Sequence, residues 1–76
     1  MATTDRGEQK RAIVEAFDHD TTYLLQLAAT AAAGMFEEVD QLYPSPEMRA
    51  DALTLRRTAE LLREANGARP FLEGDK

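Results

Sequence analysis

Cysteine and tryptophan are missing from this 76-residue chain, and histidine occurs once, as His19. Without cysteine there is no disulfide and no thiolate metal site to staple a small fold. One histidine makes no zinc site unless several carboxylates converge on it. Glycine occurs only 4 times, and Gly7, Gly34, Gly67 and Gly74 are too scattered to form a phosphate-cradling loop. Aromatic residues are 3 Phe and 2 Tyr, none interleaved with basic residues as a base-stacking platform requires. The start, Met1 to Glu8, lacks the basic start and apolar run of a secretion signal. The longest apolar stretch, Tyr23 to Phe36, contains Gln26, Thr30 and Gly34. It falls short of the roughly 20 residues of a membrane span. The default expectation is a soluble, cytoplasmic protein without cofactor or metal.

Positive charge is also scarce: 9 Lys+Arg stand against 14 Asp+Glu, for a net charge of −5. Phosphate backbones and anionic lipid repel such a chain unless its cations gather on one surface. No direct nucleic acid partner and no membrane partner are expected. A single core of this size seldom supplies more than about 3–5 kcal/mol unless oligomerisation or very close packing helps.

What is present is helical periodicity. Tyr43-Pro44-Ser45-Pro46-Glu47 separates two patterns of unequal length. After a short frayed start at 1–4, Asp5-Arg6-Gly7-Glu8 reads as a capping box. No proline interrupts the chain from there to Leu42. Ile13, Phe17, Leu24, Ala28, Ala31, Met35 and Leu42 recur with a 3.6-residue period, with Glu15, His19, Thr22, Gln26, Glu37 and Asp40 opposite. The spacing predicts one helix over 6–43, about 57 Å long. A turn at 43–46 leads to a second helix over 46–66, about 31 Å long. Ser45 is its N-cap and Pro46 its first residue, and Met48, Ala52, Leu55, Ala59 and Leu62 form its seam. Asn66-Gly67 reads as a stop. The tail 67–76 is expected to fold Phe71 and Leu72 back onto the helix end.

A rival organisation breaks the first helix at Asp18-His19-Asp20-Thr21-Thr22, where Asp20 is able to cap a new one. That gives a monomeric three-helix bundle with helices near 6–18, 21–43 and 46–66.

Candidate chemistry is thin. Asp18, His19 and Asp20 point about 100° apart on a helix and cannot converge on one ion. Glu15, Glu37, Glu38 and Asp40 lack the Glu-x-x-His of di-iron bundles. Arg49, Arg56 and Arg63, spaced by seven, flank the second helix's seam. They suit interhelical ion pairs better than an anion-binding stripe. Ala28 to Gly34 is a run of small side chains, read as a close helix crossing centred near Ala31.

The first helix is apolar around too much of its girth for one neighbour to cover. The expected fold is therefore an all-α helical hairpin that dimerises, antiparallel, into a four-helix bundle. Leu25, Ala29, Ala32, Phe36, Leu53 and Leu61 are its expected partner contacts. The expected function is a non-catalytic protein–protein interaction module, a small regulator, adaptor or accessory subunit acting on an unidentified protein. One alternative is an acidic inhibitor that mimics nucleic acid and blocks a basic surface. Another is a small enzyme with an arginine-lined site between subunits.

Overall fold

The computed structural model describes residues 5–73 as three helices, α1 (Arg6–Ala16), α2 (His19–Leu42) and α3 (Pro46–Glu73). The residues of the expected frayed start and the final three, 74–76, lie outside the described residues. All-α architecture is as expected; the single long first helix is not. Asp5 opens α1 by accepting from the Gly7 amide at 2.9 Å. Phe17 then leaves helical geometry at φ −133° and ψ 145°, while its own N–H still closes the last turn on the Ile13 carbonyl.

The break is made by Asp18, not Asp20. The Asp18 carboxylate accepts from the Thr21 amide at 2.7 Å, and its carbonyl accepts from the Thr22 amide and hydroxyl at 3.0 and 2.8 Å. An extended Asp whose side chain satisfies the amide three residues on is an N-cap, and capping is worth about 0.5–2 kcal/mol. It stops one helix and starts another without Gly or Pro.

The second correction concerns the end of the last helix. Asn66 and Gly67 do not stop α3, which runs through Pro70 to Glu73. No residue adopts positive φ among those described, so Gly67 is an ordinary helical residue. Asn66 is engaged elsewhere, donating to the His19 carbonyl at 3.1 Å and accepting from Arg69 at 3.0 Å. The expected folding back of residues 67–76 is thus replaced by helix up to Glu73. The side-chain contacts expected of Phe71 and Leu72 lie outside the described residues. At the other end, Ser45 caps α3: its Oγ accepts from the Met48 amide and its carbonyl from the Arg49 amide.

α3 is the spine of the molecule. α1 and α2 each pack along it, and neither packs extensively on the other. The outline, 51 × 33 × 15 Å, is a slab whose thin dimension is about one and a half helix diameters. Most domains bury their elements between two layers; this one has little more than one.

The interior is built from small residues. Ala29 and Ala33 of α2 and Ala52, Ala59, Leu62 and Ala65 of α3 are buried, together with Thr22 and Arg69. Met48 and Leu55 of the expected α3 seam are half-buried. On α2 the expected stripe is inverted. Leu24, Ala28, Ala31, Met35 and Leu42 are exposed. Of the residues expected in solvent, Thr22 is buried and Gln26, Glu37 and Asp40 are half-buried. Glu15 and His19 remain exposed. The physical reason lies in α3, whose flanking arginines accept polar neighbours and whose buried face is itself mostly alanine.

Candidate interaction surface

Three helices meet at one buried guanidinium. Arg69, only 8% exposed, donates through Nη2 to the Thr22 hydroxyl at 3.0 Å and through Nε to Asn66 at 3.0 Å. Its Nη1 reaches the Val14 carbonyl in the last turn of α1 at 3.4 Å. Carbonyls in a last helical turn have no partner within their own helix, so this contact occupies one of them and ties α1 to α3. The Asp18 carboxyl is held below the usual range by hydrogen bonds from Thr21, with the Arg69 charge adding to the effect. Nothing in a local reading of the sequence marks Arg69, which sits in what reads as a tail after a glycine stop.

Further along α3, arginines clasp α2. Arg49 donates to both carboxylate oxygens of Asp40, at 3.1 and 3.3 Å. Asp40 also accepts from the Ser45 amide at 2.9 Å, so one carboxylate secures both the turn and the start of α3. Its pKa is lowered first by that backbone hydrogen bond and then by Arg49. Arg56 grips Glu37 through two bonds, 2.8 and 2.6 Å, and lowers its pKa. Two-pronged geometry of this kind fixes register, although exposed pairs add only about 0–1 kcal/mol each. Arg63, next in the row, lines a small open groove with Gln26 and Thr30. α2 offers no carboxylate between Leu25 and Phe36, so the clasp ends there.

α1 is held by a separate set. Glu64 accepts from Arg6 at 2.9 Å and lies 3.4 Å from Lys10. Its pKa is lowered, chiefly by the hydrogen bond from Arg6.

Of the six expected partner contacts, the four on α2 share one arc of about 60°, while Leu53 and Leu61 stand apart on α3. Ala29 is buried against α3. Leu25 is exposed, while Ala32 and Phe36 are half-buried on the adjoining side of α2. Leu61, one turn before Glu64 and Ala65, is half-buried. Leu53 is exposed and lines an open groove of about 760 Å³ with Glu37, Asp40, Arg49 and Arg56. The polar walls of that groove are already paired with each other. Among the described residues no cluster of His, Cys, Asp and Glu is placed to hold a metal ion. No described helix is long and apolar enough to cross a membrane.

What stays open is the far side of α2. Leu24, Met35 and Leu42 are 63%, 64% and 74% exposed. Tyr23, Leu25, Leu27, Val39 and Tyr43 are also exposed. At about 100° per residue, Leu27, Leu24, Leu42, Met35, Val39 and Leu25 span roughly half the helix circumference. Small residues face α3 and large ones face solvent, the reverse of a finished core. Scattered exposed apolar residues are ordinary; a contiguous face of them marks an interaction site. Comparison of the chain with family models, with curated proteins and with solved structures gave no match.

Proposed function

We propose that this chain is a non-catalytic interaction module that works as an oligomer, with α2 and α3 supplying half of a four-helix bundle. The supporting observation is the inversion across α2: Ala29 and Ala33 are buried while Leu24, Met35 and Leu42 stand in solvent. Burying a Leu or Met side chain is worth about 1.5–3 kcal/mol. A helix laid on this face therefore gains more for each Leu or Met it covers than α3 gains for each alanine. The carboxylates Glu37 and Asp40 are turned onto Arg56 and Arg49, which favours an apolar recognition surface over an acidic one.

The test is the solution mass of the purified chain across a concentration series, set beside the 8.5 kDa of one copy. A multiple of that mass, falling to one copy in the variant Met35→Glu, is the expected result. A chain that stays at 8.5 kDa at high concentration and captures no partner would sink the reading.

A further inference from the structure

We infer that the occupant of the open face is α2 of a second copy, running antiparallel and meeting through Leu25, Ala28, Ala32, Met35, Val39 and Leu42. This rests on the interaction-module reading above and specifies its partner and register. The six residues are spaced 3-4-3-4-3, the rhythm of a helix–helix seam. They lie roughly a third of a turn around α2 from the Ala29/Ala33 face, as a neighbour in a bundle requires. All six are exposed or half-buried, Met35 and Leu42 most fully.

Side-chain size decides the direction. With a twofold axis between positions 33 and 34, Leu25 meets the partner's Leu42, Ala28 meets the partner's Val39, and Ala32 meets the partner's Met35. Each alanine then faces a large residue, so every layer is filled. A parallel pair would stack Ala28 and Ala32 on their own copies in two successive layers. It would leave a gap between a Leu layer and a Met layer, and voids of that kind are costly.

Charge points the same way. α2 contains no Lys or Arg, so it cannot neutralise a second α2 side by side. Glu38 flanks the seam. The antiparallel register separates the two Glu38 residues by about 14 Å along the axis, beyond the screening length of about 8 Å at physiological salt. A parallel register would place them level.

The face has apolar area left to cover: Leu25 and Val39 are 39% and 40% exposed, and Met35 and Leu42 are 64% and 74% exposed. The antiparallel pair covers these four side chains on both copies at once.

The chain's lack of cysteine makes the test clean. Ala28→Cys and Val39→Cys are prepared as separate proteins, checked for helical content, and oxidised singly and as an equal mixture. A disulfide needs Cα atoms within about 7 Å. The antiparallel register sets the two copies of position 28 about 16 Å apart. The expected result is a covalent dimer in the mixture and none in either single sample. In parallel, Met35→Glu should weaken self-association of the unmodified chain at least about tenfold, as loss of one buried side chain implies. Covalent dimers in the single samples would overturn the antiparallel register. Absence of the mixed disulfide in a chain whose mass is twice 8.5 kDa would overturn this seam and leave the interaction-module reading standing. A single-copy mass at every concentration overturns self-pairing altogether, and capture of a different protein would then decide the broader reading.

Discussion

The Arg69 guanidinium and the Thr22 hydroxyl, 47 positions apart in the chain, meet at 3.0 Å in the interior. Thr22 is fully buried; its hydroxyl hands its own proton to the Asp18 carbonyl and offers its lone pair to Arg69. Replacing Thr22 with Val keeps the shape and removes the acceptor. Loss of a hydrogen bond to a charged group costs about 1.5–3 kcal/mol, and that loss should appear in urea unfolding. Arg69→Met should cost at least as much and should also loosen α1, seen as faster amide exchange in residues 6–16. Unchanged stability in both variants would show that the cluster bears no weight.

Gly67 gives a sharper choice between two folds. It is helical, and a Cβ added there meets nothing within 4 Å. Gly67→Ala should therefore stabilise the chain by about 0.5–1 kcal/mol, the propensity difference between the two residues. Were Gly67 a left-handed cap, the same change would destabilise. A rise in thermal midpoint supports α3 continuing to Glu73; a fall contradicts it.

The junction at Asp18 should respond to capping chemistry. Asp18→Ala is expected to cost about 1 kcal/mol, while Asp18→Asn, an equally good cap, should be close to neutral. Chemical denaturation of both variants checks this. Equal losses from Asn and Ala would mean that charge, not the hydrogen bond to Thr21, holds the bend.

Ala33, wholly buried between α2 and α3, has no room to grow. Ala33→Leu should destabilise by about 1–3 kcal/mol through overpacking. Two residues on, Met35→Leu alters an exposed position and is expected to leave the single chain's stability unchanged. Reversed sensitivities would refute the inversion of α2.

Acid should weaken the fold. Asp18, Glu37, Asp40 and Glu64 all titrate below their ordinary values. A carboxyl with a lowered folded pKa contributes fully above its unfolded value and loses that contribution as pH falls through the folded one. Stability should be level above about pH 5 and decline below about pH 4. These groups are near solvent, so the decline is modest and shrinks in salt. Asp40→Asn should make it shallower; a chain that gains stability on acidification would contradict the ion-pair assignments.

Much of α3 can be read from the sequence, because its determinants are local. Ser45, Pro46 and the seam from Met48 to Leu62 need only helical spacing and a cap to be recognised. The break after Phe17 is less visible, since a local reading of this stretch points to Asp20 as the cap. What selects Asp18 includes Arg69, far along the chain, whose side chain takes up Thr22 and the loose carbonyl of Val14. The same distance hides the continuation through Gly67 and Pro70, because Asn66 is diverted to the His19 carbonyl. α2 misleads for a different reason. Hydrophobic size is a poor guide to which face is buried when the neighbour is lined with alanine and edged by arginine. Arg49 and Arg56 pull Asp40 and Glu37 inward, and the leucines are turned out. The exposed apolar face of α2 follows from that inversion.

Because both outer helices lean on α3 and barely on each other, the order of synthesis has a consequence. As the chain leaves the ribosome, α1 and α2 emerge before α3, along which both pack, exists. For the seconds needed to make the third helix, the nascent segment carries its Leu-rich face without its internal support. That interval is when the chain is most exposed to capture by chaperones or by neighbouring copies on the same message.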